Sequence, residues 1–488
     1  MRMQTGIAVR PALAGLGMAM AIVISLTGCA IGPDYVRPKT DLPASYPPPS
    51  QTNTTNAEPG KVAAQWWTLY GDTTLNELVA VTLKNNVDLR QAVAKIDEAE
   101  GILAETGSSL LPEIDLDASN TKARSSSLSA QRLPPGTPLV TTTSRIALST
   151  AFELDFWGKL RRASQSARAQ VLSSRYARDV TALSLAGTTT RAYFTLRALD
   201  NQIAVSRETL TSRDESLAVV KSRASGGLAS DLDVYQAQGV RADAALQLTD
   251  LQRQRALIEH QIGSLTGTLD LKIAAGDLMH LPLPTLPDAG LPASLLERRP
   301  DVQQAEQDLI AANARIGVAK AASLPTFSLI GSYGGLSEAS KNLYQDAARI
   351  WSVGPSMHLP IFDAGKYRAR TRQAEALQRI SAAAYQKTVE TAFREVADAL
   401  TNLEQTNLTV NDTQAKVDAA RNALHLSRLR YESGYSGYLD VLDAQRSANI
   451  AELALVQNRQ AQLSYSIDLM KALGGGWSPS KSGVQEKR

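Results

Sequence analysis

The sequence predicts a mainly α-helical chain with a transmembrane β portion, built as two homologous halves. Three features predict it. Short motifs recur in the same order at nearly one offset: NNVDLRQA (85–92) returns as RRPDVQQA (298–305), DFWGKLRRA (155–163) as FDAGKYRAR (362–370), and LDVYQAQ as LDVLDAQ. Each half contains two stretches of apolar–polar alternation of ~10 residues, the length that crosses a bilayer at a tilt. Each half also carries a long proline-free run, Lys159 to Arg223 and Lys366 to Glu432, which can continue as one helix over ~95 Å.

Taken in order, residues 1–28 read as a signal peptide. Arg2 and Arg10 precede an apolar stretch from Ala12 to Leu26, which is too short and Gly-rich for a membrane span. Leu26-Thr27-Gly28-Cys29 resembles a bacterial lipobox, which implies a covalent lipid on Cys29, an N-acyl group plus S-diacylglycerol. Ala30 in place of Asp resembles lipoproteins released to the outer membrane. Cys29 is the single cysteine, so no disulfide forms within the chain. Residues 29–65 are polar and Pro-rich and cannot fold alone, so they read as an extended tether or a strap over a neighbour. The first repeat spans 66–270, a linker 271–291, the second repeat 292–475, and a tail 476–488.

Each half opens with helical spacing, from Leu75 to about Ser109 and from Ala293 to Ala322, closed by a Leu-Pro. Alternation follows, with Ile114, Leu116 and Ala118 against Asp115, Asp117 and Ser119, and with Phe327 and Leu329 ending in Tyr333. After loops at 121–142 and 334–348, expected to be external, it resumes through Ile146, Leu148, Phe152 and Leu154, and through Trp351, Val353, Met357 and Leu359. Four strands cannot close on themselves. A sheet edge in lipid leaves backbone groups unsatisfied, so membrane strands need a barrel of at least ~8 and must be pooled between chains. The alternative is a pair of soluble hairpins capping a helical bundle.

Return helices are expected near Asp231 to Thr266 and Asp440 to Leu473. In the last one, Asn449, Leu453, Val456, Gln460, Leu463, Ile467 and Met470 form one seam, and Ala444, Ala448, Ala451, Leu455, Asn458, Gln462 and Tyr465 a second. The seams lie ~150° apart, so the helix has a neighbour on each side and belongs in a wall.

Composition excludes other classes. The 51 basic and 48 acidic residues are interspersed and nearly balanced, with no basic patch among aromatics, so nucleic-acid binding has no support. His260, His280, His358 and His425 are scattered. No metal site, no cofactor and no His-based triad is expected, and the chain is not expected to be an enzyme.

The lipobox followed by GPDYVRP, the QWWTLYGDTTLNEL segment, ERRPDVQQAE, the two Gly turns, LDVLDAQ and KALGGGW together resemble the TolC-like outer membrane factors, in their lipoprotein branch. The resemblance spans nearly the whole mature chain. It implies a homotrimer whose long coiled helices form an α-barrel tunnel continuous with a trimer-shared 12-stranded β-barrel. It implies an exit duct of a tripartite efflux pump, in contact with outer-membrane lipid, a periplasmic adaptor (membrane fusion protein) and a proton-driven inner-membrane transporter. A polypeptide (type I) secretion duct and a periplasmic adaptor lipoprotein are the alternatives.

The Gly turns at 225–230 and 433–438 join each long helix to its return helix. Asp231 and Asp233 read as dipole-compensating residues at a helix start. Asp440 and Asp443 share a face, where like charges cost a few tenths of a kcal/mol and call for another reason. By resemblance, Asp440, Asp443, Leu439 and Tyr431 form a periplasmic gate, with Tyr431 as latch, and Ser225, Gly226, Ser433 and Gly434 receive the adaptor.

Overall fold

The computed structural model describes residues 30–46, 62–126, 128, 134, 136–287 and 292–477. The expected signal peptide at 1–28, the expected lipidation site Cys29 and the residues beyond Trp477 lie outside the described residues. The chain divides into two compact units, one of residues 1–38, 96–173 and 305–384, the other of 39–95, 174–304 and 385–488.

The first unit holds a four-stranded antiparallel sheet in the order β1 (Asp115–Arg124), β2 (Val140–Leu154), β3 (Thr326–Ser337), β4 (Arg349–His358). Register turns the alternation into faces. Leu116, Leu148, Tyr333 and Trp351 stand in one row across all four strands, with Trp351 69% exposed. The opposite face is polar, tied by Ser149 Oγ to Asp117 Oδ2 at 2.6 Å and by Ser332 Oγ to Ser352 Oγ at 2.8 Å. Among the described residues β1 pairs only with β2 and β4 only with β3, so two edges carry backbone donors and acceptors without strand partners there. β1 and β3 run further than the loop signals suggested. Gly334 reads as a turn residue, yet it serves close strand approach, because a Cβ there would collide with the Ile146 carbonyl oxygen of β2.

The Pro-rich N-terminal stretch, where described in this unit, lies on its own chain. Ile31 N–H donates to Trp157 O at 3.0 Å, and Asn313 Nδ2 to Pro33 O at 2.8 Å. Arg162 pairs with Asp34 at 2.7 Å. Tyr35 Oη at 2.9 Å and both prongs of Arg37 at 2.7 Å converge on the buried Glu306 carboxylate, so fork geometry holds the strap down.

The second unit contains helices α1 (Thr73–Asn85), the start of α2 (Val87–Ser108), α4 (Asp231–Thr266) and α7 (Tyr438–Ala472). The helices α3 (Lys159–Ser225) and α6 (Lys366–Glu432), each of 67 residues, and α5 (Pro300–Ala321) contribute to both units. The opening helices are broken where the periodicity read through. Asn86 takes an extended ψ of 136, its Oδ1 accepting from Asp88 N at 2.8 Å and its Nδ2 donating to Leu265 O at 3.0 Å. Arg299, before Pro300, is extended as well.

Trp66, Tyr70, Phe194, Leu463 and Ile467 form fully buried core, and Tyr70 and Ser466 share a hydrogen bond of 2.7 Å. The segment after α4 is fastened by a charge network. Asp200 receives Arg255 at 2.6 Å and Gly276 N–H at 3.0 Å, while Glu259 receives Ile273 N–H at 2.9 Å and Lys272 at 3.2 Å. Trp477 stays attached, donating from Nε1 to Asp179 at 2.9 Å and packing edge-on against Tyr176. No helix among the described residues is long and apolar enough to cross a membrane.

Candidate functional site

Both helical turns of the second unit close by the same hydrogen-bond device. In the first, Gly227 N–H bonds Ala224 O at 3.0 Å and Leu228 N–H bonds Arg223 O at 2.8 Å. In the second, Gly434 N–H bonds Tyr431 O at 3.0 Å and Tyr435 N–H bonds Arg430 O at 2.8 Å. Such closure places one residue in the left-handed region. That residue is Gly227 (φ 74) in one turn and Gly434 (φ 81) in the other. The structural counterpart of Gly434 is therefore Gly227, one residue beyond the Gly226 named from sequence. Ser225, Gly226, Ser433 and Gly434 are all exposed.

The helices that follow start differently. Ser230 caps α4, its Oγ accepting from Asp233 N at 3.3 Å while the Asp233 carboxylate accepts from Ser230 N at 3.1 Å. Asp233 thus works in a capping box rather than as a free dipole charge. Gly437 stands at the same place before α7 and has no side chain to cap with. The aligned Asp440 is exposed, and among the described residues it makes no hydrogen bond or ion pair. Asp443, also exposed, meets Arg446 at 2.7 Å. Leu439 beside them is 67% exposed. A groove of about 450 Å³ runs past Leu439, Asp443, Arg446, Asp243, Gln247 and Asn449.

Behind this acidic start lies a small apolar core of Val220, Ala237, Tyr431, Tyr438 and Val441. The two tyrosine rings pack at 5.3 Å. Arg223 covers Tyr431 at 4.7 Å from its centroid and donates to the carbonyls of Tyr431 at 3.1 Å and Glu432 at 3.3 Å. Both phenolic oxygens are buried and find no hydrogen-bond partner among the described residues. Tyr431 is therefore held by its ring and its carbonyl. Burial pushes both phenols above their ordinary range, with Arg223 pulling Tyr431 partly back and Arg213 doing the same for Tyr438. Deeper along the helices, Arg213 donates to Gln445, whose Nε2 reaches Ser216 Oγ at 3.0 Å, and Thr209 meets Asn449 at 3.2 Å.

Sequence reasoning named Tyr431, Leu439, Asp440 and Asp443, which the structure gathers around one turn. It missed Arg223 and Arg213, whose roles depend on a helix more than two hundred residues away. The Ser230-to-Asp233 spacing was a readable signal for the cap.

No cluster of metal-ligating side chains occurs among the described residues. What the arrangement offers is exposed charge at a helix start: the Asp440 carboxylate without a partner among the described residues and the Asp443 carboxylate paired with Arg446, in front of the Tyr431 ring and the Arg223 guanidinium.

The profile of the outer membrane efflux protein family matches residues 78–268 and 291–475. The toluene efflux pump outer membrane protein TtgF of Pseudomonas putida is 34% identical over 474 residues, covering 94% of this chain and 96% of that protein. A membrane protein from Pseudomonas aeruginosa of known crystal structure superposes with a TM-score of 0.82 at 32% identity, covering 92% of this chain and 98% of that one. The open-state MtrE outer membrane channel of Neisseria gonorrhoeae gives 0.78 at 28% identity, covering 92% and 99%.

Proposed function

The chain belongs to the outer membrane efflux protein family, the TolC-like channels of tripartite efflux systems, and from that premise we propose that it is a passive exit duct for small molecules with an acidic periplasmic gate. The observation that carries the reading is the four-stranded sheet with one apolar face, one polar face and two open edges. In lipid those edges must be paired, and three copies joined edge to edge give a closed barrel of twelve strands with a polar lumen. Two homologous halves supply each copy's share of the barrel and of a helical wall. TtgF is a toluene efflux protein by name, which favours small apolar cargo over polypeptide. An inner-membrane transporter and a periplasmic adaptor supply energy and contact, the adaptor meeting Ser225, Gly226, Ser433 and Gly434. Acylation of Cys29 adds a lipid anchor that a closed barrel does not depend on.

The gate follows from symmetry. Among the described residues Asp440 has no side-chain partner, so three copies would set three free carboxylates in a ring, with Asp443 forming a second ring and Leu439 the constriction. Rings of like charge attract and hold multivalent counter-ions. Purified trimer in a planar bilayer should prefer cations and be blocked by a trivalent cation from the helical side. Asp440→Ala combined with Asp443→Ala should remove the block. Unchanged block would place the constriction elsewhere, and a monomer in the purified protein would remove the duct.

A further inference from the structure

The two segments that lead from a strand into a long helix align residue for residue, and their charges are handled in opposite ways. In the first, every cation has a carboxylate: Lys159 meets Glu153 at 2.7 Å, Arg161 meets Asp155 at 3.3 Å, and Arg162 meets Asp34 at 2.7 Å. In the second, Pro360 occupies the place of Glu153 and Phe362 that of Asp155, while Arg370 and Arg372 replace Ala163 and Gln165. Lys366, Arg368, Arg370 and Arg372 are all exposed, and among the described residues none is in an ion pair. Lys366 and Arg370 lie by the Tyr367 ring, at 5.8 and 5.7 Å, and Lys366 also acts at longer range on the Asp363 carboxylate. Asp363 is taken up by the backbone N–H groups of Gly365 and Tyr367, both at 2.9 Å.

The residues just before these cations are apolar and bare. Ile361 is 93% and Phe362 89% exposed, whereas Phe156 of the first segment packs edge-on against Phe327 at 5.3 Å. In the sequence the pair follows the exposed apolar residues of β4, Trp351, Val353 and Met357, just beyond the strand end at His358. Four like charges in two helical turns repel one another and attract an anion. Apolar side chains followed at once by a cation cluster match the two layers of a lipid boundary, acyl chain below and phosphate above.

The structure assigns to residues 361–372 a docking surface for anionic phospholipid headgroups, at the bilayer edge where β4 ends. Ile361 and Phe362 enter the acyl boundary, and Lys366, Arg368, Arg370 and Arg372 hold phosphates. This goes beyond conduction, since it gives the duct a lipid preference, and it rests on the sheet lying in the membrane. The carboxylate-paired first segment does not share it.

The test uses full-length trimer carrying Cys29→Ser, with bimane on Phe362→Cys or, separately, on Trp351→Cys, in phosphatidylcholine vesicles. Brominated phosphatidylglycerol and brominated phosphatidylcholine are compared at equal fraction. At position 362 the anionic lipid should quench about fivefold more effectively or better. Lys366→Gln, Arg368→Gln, Arg370→Gln and Arg372→Gln together should erase that preference and leave quenching at 351 unchanged. Equal quenching of 362 by both lipids, with 351 quenched, overturns the site. No quenching at 362 with 351 quenched means that a second copy covers the surface, and overturns it too. No quenching at 351 refutes the membrane placement itself.

Discussion

Arg223→Ala tests whether the turn into α7 is latched from outside its own helix. The substitution removes a guanidinium that stacks on Tyr431 at 4.7 Å and donates to the carbonyls of Tyr431 and Glu432. Stacking on a partly buried ring contributes ~0.5–1 kcal/mol. A charged donor on helix-end carbonyls adds about 1.5 kcal/mol, reduced because the Glu432 bond is exposed. The sum is about 2 kcal/mol of local stability, roughly a thirtyfold rise in local opening. Hydrogen exchange reads it at the amides of Ser433, Gly434 and Tyr435, which bond Leu429, Tyr431 and Arg430 carbonyls at 3.0, 3.0 and 2.8 Å. Arg223→Lys keeps a charged donor and loses the planar guanidinium over the Tyr431 ring, so it should fall between. Exchange at these amides within about twofold of wild type would refute the latch.

Gly434→Ala and Gly227→Ala force φ values of 81 and 74 on a residue with a Cβ and should each cost ~1 kcal/mol, whereas Gly226→Ala, at 3.6 Å from its nearest neighbour, should leave thermal unfolding unchanged. Burial pushes the Glu259 carboxyl up, but the Ile273 N–H, Lys272 and Arg255 outweigh it and hold it below the ordinary glutamate range. A lowered carboxyl stabilises fully above its unfolded pKa of ~4.3 and loses that contribution as pH falls through the folded value. Proteolysis at Lys272 should therefore rise on acidification through that window, and Glu259→Gln should flatten the profile. In whole cells carrying Cys29→Ser, thiol reagents should label Ser126→Cys and Ser337→Cys and spare Ser225→Cys and Ser433→Cys; labelling of position 433 from outside would overturn the topology.

Much of this protein was decided locally, and that part was legible in sequence. α6 runs over Lys366–Glu432 and α4 over Asp231–Thr266, the bounds read from missing prolines and from turn glycines. The strands emerged because period-two alternation survives whatever the partner strand is. Asp440 and Asp443 could be singled out because an acidic pair on one face conflicts with a local rule.

Other features needed the fold, because their causes lie far away along the chain. Asn86 breaks the opening helix by bonding Leu265 O, which no window around residue 86 contains. Gly334 looks like a turn until the backbone of the neighbouring strand, at Ile146, leaves no room for a Cβ. Asp233 and Asp440 align as equals, and only the cap geometry separates them: Ser230 engages one carboxylate, and Gly437 leaves the other free. Sequence by itself determined where the long helices, the strand alternation and the two glycine turns lie, since those follow from backbone sterics and periodicity. Tertiary structure decided which charges are satisfied and which remain available to a ligand, since a buried or bare carboxylate is defined by what packs against it.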